Sequence, residues 1–382
     1  MTSYLACMGT RPEIIKMAPV YRSLKERGQT VRVLHTGQHD EMAQALYRFF
    51  DMAPDYSMHI ERKVPTLSHL TAELMQGMDE QVAQAQPDVV LVQGDTASAL
   101  VGAMVGYFRH IPVAHIEAGL RTGLHDPFPE EKNRELIGRL ANWHFPPTHQ
   151  AAANLLREGI PSEQIFEVGN TVIDTALWVK HRMLHEQLDP GLTPDVFQFL
   201  EKHLPARLML VTAHRRENWG QPIRQIAQAV GTLLQRHRDL VVVWPMHPNP
   251  SVRADIQRVI ERLPAECRTQ LCLTEPLEYP ALISLLARSH FCLTDSGGIQ
   301  EEASAFKCPV LITRDSTERQ ELVDAGGALL VGTDPHRIVE AATHLLNDPW
   351  VYRAMQVQQS PFGDGHAAQR IADVLTHSLS TQ

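Results

Sequence analysis

Residues 291–303 read FCLTDSGGIQEEA, and the rest of the chain is organised around that pattern. Phe291, Cys292, Leu293 and Thr294 form a short apolar run of the kind expected for a buried parallel strand. Asp295, Ser296, Gly297 and Gly298 make a turn, and Ile299 opens a run of good helix formers with Glu301 and Glu302 in its expected first turn. A strand that enters a helix this way leaves backbone N–H groups unpaired at the positive end of the helix dipole. Two glycines let a bulky anion come close to the backbone. The turn is therefore either a tight βα connection or a diphosphate cradle, and a carboxylate one helical turn further on is placed to hold ribose hydroxyls.

The same strand-then-helix unit recurs in both directions. Before it, apolar runs at 4–8, 31–34, 89–92, 111–116 and 143–145 alternate with helical segments, among them 66–84 and one entered through 127–131. The first helix begins at Gly9-Thr10-Arg11-Pro12-Glu13, where Thr10 and Glu13 have capping-box spacing and Gly28 marks the end. The box accounts for Glu13. It leaves Arg11 and Lys16 as cations in first turns where the dipole disfavours them, which suggests an anion in front of the helix. The pattern pauses around 168–171 and restarts, with strand-like runs at 208–212, 240–245, 270–273, 291–294, 309–312 and 328–331. Two alternating series predict an α/β protein with two Rossmann-like, doubly wound parallel sheets. The expected domains are 1–169, with a C-terminal helix at 362–378 packing back on it, and 170–361. Residues 188–205 read as a polar, peripheral helical insertion.

Composition narrows the class. The chain has 382 residues, 43% hydrophobic and 21% charged, ordinary values for a folded two-domain protein. No apolar run approaches the roughly 20 residues of a bilayer span, so no membrane partner is expected, and no leader is read at the start. Cysteines at 7, 267, 272, 292 and 308 show no CxxC spacing, which suits a reducing cytoplasm and neither disulfides nor zinc. His35 and His39 stand four apart in a loop, not on a helix, so no metal is expected. A net charge of −9 with no basic block argues against nucleic acid. GxGxxG and GxxxxGK[ST] are both absent, which removes dinucleotide and P-loop cofactors.

The polar residues collect just past the carboxyl ends of predicted strands, the edge where open parallel sheets bind ligands. The first domain supplies the carboxylates Asp95, Glu117 and Glu130 or Glu131. The second supplies anion binders: His214, Arg215, Arg216, the Ser296-Gly297-Gly298 turn and Arg319. Carboxylates that share a site raise one another's pKa and divide into acid and base. Taken singly, each is more readily an N-cap or a salt bridge to a neighbour such as Arg121 or Arg134.

The motifs GTRPEIIKMAPV (9–20), GQH (37–39), VQGDT (92–96), HIEAGLRT (115–122), PFPEEKNR (127–134), GNTVIDT (169–175), AHRREN (213–218) and TDSGGIQEEA (294–303) resemble the non-hydrolysing UDP-N-acetylglucosamine 2-epimerases. TERQE (317–321), LVGTD (330–334) and PFGDGHAAQRI (361–371) carry the resemblance nearly to the C-terminus. It implies a GT-B-like fold with an interdomain cleft, commonly a homodimer, and interconversion of UDP-GlcNAc and UDP-ManNAc by elimination and re-addition of UDP without a cofactor. It implies catalytic roles for Asp95, Glu117, Glu130 and His214. Arg11, Lys16 and His214 would neutralise the diphosphate, Ser296, Gly297 and Gly298 would cradle it, Glu302 would meet the ribose and Arg319 the uridine side.

Gln38, His39, Glu130, Arg215 and His247 match positions associated with a second, activating UDP-GlcNAc site in this family. Glu41 stands where the family has a glutamine and Val64 where it has an arginine. Gaining an anion and losing a cation should weaken that site, so weak substrate activation is expected. The same departures leave room for a related UDP-sugar substrate of the 2,3-diacetamido uronic acid type. A GT-B glycosyltransferase is the nearest rival reading.

Overall fold

The structure, a computed structural model, describes residues 1–37, 40–60, 64–123 and 127–380. It divides into two compact units, 1–175 with 362–382 and 176–361. The division falls inside a helix, six residues past the pause at 169 that the sequence pattern marks.

The first unit runs β1 (Ser3–Met8), α1 (Arg11–Glu26), β2 (Thr30–His35), α2 (Asp40–Phe49), β3 (Tyr56–Ser57), α3 (Leu67–Ala85), β4 (Val89–Gln93), α4 (Ala97–Phe108), β5 (Val113–Ile116), α5 (Glu130–Leu140), β6 (Trp143–Phe145) and α6 (His149–Arg157). Helix α7 (Thr171–His185) crosses the boundary. The second unit continues with α8 (Pro194–Lys202), β7 (Arg207–Thr212), α9 (Gln221–Arg236), β8 (Leu240–Pro245), α10 (Pro250–Ile260), α11 (Ala265–Arg268), β9 (Leu271–Thr274), α12 (Tyr279–Arg288), β10 (Phe291–Thr294), α13 (Gly297–Ala305), β11 (Val310–Ile312), α14 (Gln320–Asp324), β12 (Ala328–Leu330), α15 (Pro335–Asn347) and α16 (Pro349–Met355). The chain then returns to the first unit as α17 (Ala367–Ser380), which packs on α1 through Arg27, whose guanidinium donates to Asp373.

Among the described residues each unit holds a six-stranded, all-parallel sheet, in the orders β3-β2-β1-β4-β5-β6 and β12-β11-β10-β7-β8-β9. Counted within its own unit, each is the doubly wound 3-2-1-4-5-6 order. Burial on both faces explains why the strands read as unbroken apolar runs: Val89, Val90, Leu91 and Val92 of β4 are fully buried. The helix between β4 and β5 carries Gly102 and Gly106 on its sheet side. A Cβ on Gly106 would come within 2.6 Å of Val113 Cγ2, so glycine lets this apolar helix lie close on the strands.

The order of strands also fixes where ligands can go. In each sheet the winding reverses between the first and fourth strands, β1 and β4 in one unit, β7 and β10 in the other. Loops at the carboxyl ends of that pair diverge and leave room for a ligand. The turns concerned are Gly9-Thr10 and Gly94-Asp95-Thr96 in the first unit, and Ala213-His214-Arg215 and Asp295-Ser296 in the second. No helix among the described residues is long and apolar enough to cross a membrane.

Candidate active site

In the first unit the turn after β1 is closed by the chain's own carboxylate. Glu13 Oε2 accepts from Gly9 N (2.9 Å), Thr10 N (2.7 Å) and Thr10 Oγ1 (2.8 Å), and its Oε1 accepts from Thr96 Oγ1 at 2.6 Å. The capping box thus also ties the β1 turn to the β4 turn across the reversal point. Burial raises the Glu13 pKa, against the pull of these hydrogen bonds, with Thr96 the largest.

Next to it stands a cluster of carboxylates and their partners. Glu117 follows β5 with φ 64°, a left-handed backbone that non-glycine residues seldom adopt. Its Oε1 accepts from Lys16 Nζ at 2.5 Å and from Asn170 Nδ2 at 3.0 Å, and its Oε2 accepts from Gln93 Nε2. Lys16 and Glu117 are both nearly buried, with 9% and 7% of their side-chain surface exposed. An anion does stand before Lys16, then, but it is a side chain of the same unit, so the position of Lys16 needs no bound ligand to explain it.

Asp95 pairs with Arg134 at 2.6 Å, its backbone carbonyl accepts from Asn133 Nδ2, and 24% of its side chain stays open. Burial raises its pKa against the charge of Arg134, and the neighbouring charges of Glu117 and Glu130 raise it further. Those three carboxylates therefore share one electrostatic site. The adjacent pair Glu130 and Glu131 splits cleanly. Glu131 is 1% exposed, accepts from the backbone N–H groups of Thr122 and Gly123 and pairs with Arg134, which makes it a structural post. Glu130 stands at the start of α5 and keeps part of its surface open. Underneath, His115 Nε2 meets Gly94 O at 2.8 Å, and burial lowers the His115 pKa to about 3, so a neutral imidazole holds the residue before Asp95. Arg11 is the first residue of α1, and Arg121 pairs with Glu158.

The second unit solves the same junction differently. Asp295, fully buried, accepts from His214 N and Arg215 N at 3.0 Å and from Asn218 Nδ2 at 2.8 Å, which latches the turn after β7 to the end of β10. Ser296 N donates to Thr294 Oγ1 at 3.0 Å. Helix α13 starts at Gly297 with no side-chain cap. Among the described residues the N–H groups of Gly297, Gly298 and Ile299 have no protein acceptor. Three aligned N–H groups at a helix start bind an anion by geometry and dipole together.

Because α13 begins at Gly297, Glu301 and Glu302 fall in its second turn, not its first, and both are buried. Glu301 Oε1 accepts from Arg319 Nε at 2.8 Å. The Arg319 guanidinium lies against Gly297, where a Cβ would come within 3.0 Å of Cζ. Glu302 faces Tyr279, whose pKa is raised first by burial and then by that carboxylate. Arg314 pairs with Glu318 and with Glu217, and Arg215 approaches Glu318 at 3.6 Å. Glu318 is pulled to about 2: burial, the largest single influence, raises it, but the Arg314 hydrogen bond, a backbone hydrogen bond and the charges of Arg215 and Arg314 together outweigh burial. The His247 ring lies 6.3 Å from that of His214 and 5.4 Å from that of Trp219.

The structure thus brings Lys16, Asp95, Glu117 and Glu130 together in one unit, and His214, Arg215, His247, the glycine turn and Arg319 at strand ends in the other. Gln38 and His39 lie outside the described residues, as does the side chain of Glu41; Val64 is exposed. Sequence reasoning missed the partners that set these groups. Gln93, Asn170, Asn218 and the latch role of Asp295 all act across the fold, from 24 to 81 residues away. Gln93 and Asn170 stand inside the quoted motifs VQGDT and GNTVIDT, which is the one signal that marks them.

Comparison with known proteins agrees in both sequence and structure. The family model described as UDP-N-acetylglucosamine 2-epimerase matches residues 22–376. A UDP-N-acetylglucosamine 2-epimerase of Yersinia pestis is 41% identical, over 99% of each chain. The Neisseria meningitidis UDP-GlcNAc 2-epimerase solved with UDP-GlcNAc is 37% identical, with TM-score 0.86 over 98% of this chain and 100% of that one. An S. aureus MnaA solved with UDP is 36% identical, with TM-score 0.87 over 100% of this chain and 97% of that one. Two doubly wound parallel sheets of this kind are those of GT-B-like epimerase structures. The chain belongs to the UDP-N-acetylglucosamine 2-epimerase family, a family of isomerases.

Proposed function

We propose that the chain is a non-hydrolysing UDP-GlcNAc 2-epimerase that interconverts UDP-GlcNAc and UDP-ManNAc. A base takes the C2 proton, the C1–O bond to the diphosphate breaks, and its electron pair leaves with UDP, giving 2-acetamidoglucal. A proton is then delivered to the other face of C2 and a β-phosphate oxygen returns to C1. The balance needs no hydride acceptor, in keeping with a chain that lacks a dinucleotide fingerprint.

The observation that carries this reading is the cluster of Asp95, Glu117 and Glu130, in which burial first, and then the charges of Glu117 and Glu130, raise the Asp95 pKa against Arg134. The C2 proton of this sugar is not acidified by a carbonyl, so its removal calls for placed bases and a stabilised leaving group. Asp95, with its raised pKa, is the proton carrier. Glu117, to which Lys16, Gln93 and Asn170 donate, faces the charge that develops on the sugar. Glu130 serves the opposite face. The N–H groups of the Gly297-Gly298 turn and Ser296 take the diphosphate, with His214, Arg215, Arg11 and Lys16 supplying charge. Glu302 takes the ribose and Arg319 the uridine side.

Incubating the protein with UDP-GlcNAc in deuterated water tests this. Deuterium at C2 in recovered UDP-GlcNAc and UDP-ManNAc is the expected result. Turnover that leaves C2 unlabelled is the mark of a GT-B transferase and overturns the reading. We further propose a homodimer in the cytoplasm that supplies polysaccharide synthesis, with substrate activation weak because Glu41 and Val64 depart from the second-site pattern. Exposed Tyr107, Phe108 and Leu136 on α4 and α5 support self-association.

A further inference from the structure

Glu117 is held more tightly than an ion pair with Lys16 requires. Its backbone sits at φ 64°, and both Glu117 N and Ala118 N donate to Phe145 O, at 3.1 and 3.2 Å. A residue kept in so sparse a conformation marks a place where orientation matters. Besides Lys16 Nζ, two neutral amides from two other elements reach the carboxylate. Gln93 Nε2, from the last residue of β4, donates to Oε2, and Asn170 Nδ2, from the residue before α7, donates to Oε1 at 3.0 Å. Gln93 and Asn170 are each 2% exposed.

The Asn170 amide can face only one way. Its Oδ1 accepts from Val172 N at 3.1 Å, so its NH₂ end is the one turned to Glu117. Its backbone is pinned as well: Asn170 N donates to Phe362 O at 2.6 Å, where the chain returns from the second unit to the first. At that crossing Gly169 and Gly363, with φ 95° and 130°, lie so close that a Cβ on Gly169 would stand 3.2 Å from Gly363 Cα. The packing of the returning segment therefore fixes Asn170, and Asn170 fixes one oxygen of Glu117.

We propose that Gln93 and Asn170 are positioning residues for the epimerase reaction, which aim the Glu117 carboxylate by donating to its two oxygens. The inference rests on the reading of Glu117 as a reacting carboxylate. Hydrogen bonds to a charged group contribute about 1.5–3 kcal/mol, which at 1.36 kcal/mol per decade is about 10- to 150-fold in rate.

The test uses two substitutions that remove a donor and keep the local fold. Asn170→Ser retains an N-cap acceptor for Val172 N, since serine caps as well as asparagine does, but its side chain is too short to reach Glu117. Gln93→Met conserves volume and has no N–H. Each is expected to lower kcat about 10- to 100-fold, with KM for UDP-GlcNAc, the Kd for UDP and the melting temperature held. Wild-type kcat in a folded Asn170→Ser or Gln93→Met protein overturns the proposal. So does a loss that appears only together with lowered melting temperature and weaker UDP binding in both variants, which is what a purely structural role gives. Glu117→Gln separates the layers. If it retains wild-type kcat, the reading of Glu117 fails. If it abolishes turnover while the two amide variants remain fully active, only the present inference fails.

Discussion

The two reversal points differ in where the carboxylate that closes the first turn comes from. In the first unit Glu13 fills the turn after the first strand and, through Thr96, reaches the turn after the fourth. In the second, Asp295 comes from the end of the fourth strand and fills the turn after the first, where it takes the N–H groups of His214 and Arg215. Both first turns, where Rossmann folds usually hold a phosphate, are thus occupied by an internal carboxylate. What remains open differs. The first unit presents carboxylates and their counter-cations, and the second presents the bare N-terminus of α13 at Gly297, Gly298 and Ile299. One topology thus yields an acid–base surface in one copy and an anion cradle in the other; the helix after the fourth strand is capped by Thr96 in the first and has no side-chain cap in the second.

Breaking the latch of the second unit should have the largest effect. Asp295→Ala leaves three N–H donors without their acceptor, the part-buried backbone groups of His214 and Arg215 and the buried Asn218 amide, at a cost of about 3 kcal/mol. Urea unfolding should show it as a lowered midpoint, and an unchanged midpoint would mean that the latch carries little. Filling the cradle is gentler. Gly297→Ala places a Cβ 3.0 Å from Arg319 Cζ, so the guanidinium must give way by a few tenths of an ångström and a methyl group narrows the cradle. UDP affinity by calorimetry should fall about tenfold, roughly 1.4 kcal/mol, with urea stability held. The smallest effect lies on the acidic side. The Arg134 charge opposes the rise in the Asp95 pKa, so Arg134→Gln should raise it further. A group that works as a base is lost when it is protonated, so the acidic limb of the kcat/KM profile should move to higher pH. A limb that stays in place would remove Asp95 from the proton transfer.

How much of this was legible in the sequence follows from how far each contact reaches along the chain. Strands buried on both faces announce themselves, and the runs 240–245 and 291–294 coincide with β8 and β10. The turn residues and the capping box were readable because they act within three or four positions. β3, two residues long, has no pattern to read. The helix start at Gly297 lay two residues before the expected one because glycine, a poor helix former, stands where the N–H groups must stay uncovered. Glu130 and Glu131 are adjacent and chemically alike, so the residues alone leave both open and only the resemblance singles out Glu130; in the fold it is Glu131 that is buried and bonded to Thr122 and Gly123. Lys16 looked like a ligand-facing cation because its partner, Glu117, lies 101 residues away. Long-range polar partners leave no periodicity, so those that set the carboxylates were the least readable part of the site.

The central claim, that the nucleotide is gripped by the uncapped, glycine-rich start of α13, is most directly tested by following backbone amide resonances while UDP is titrated. The N–H signals of Gly297, Gly298 and Ile299 should shift strongly downfield and saturate together, while those of Gly9 and Thr10, already bound to Glu13, should stay where they are. Large shifts at Gly9 and Thr10 with Gly297, Gly298 and Ile299 unmoved would contradict the account.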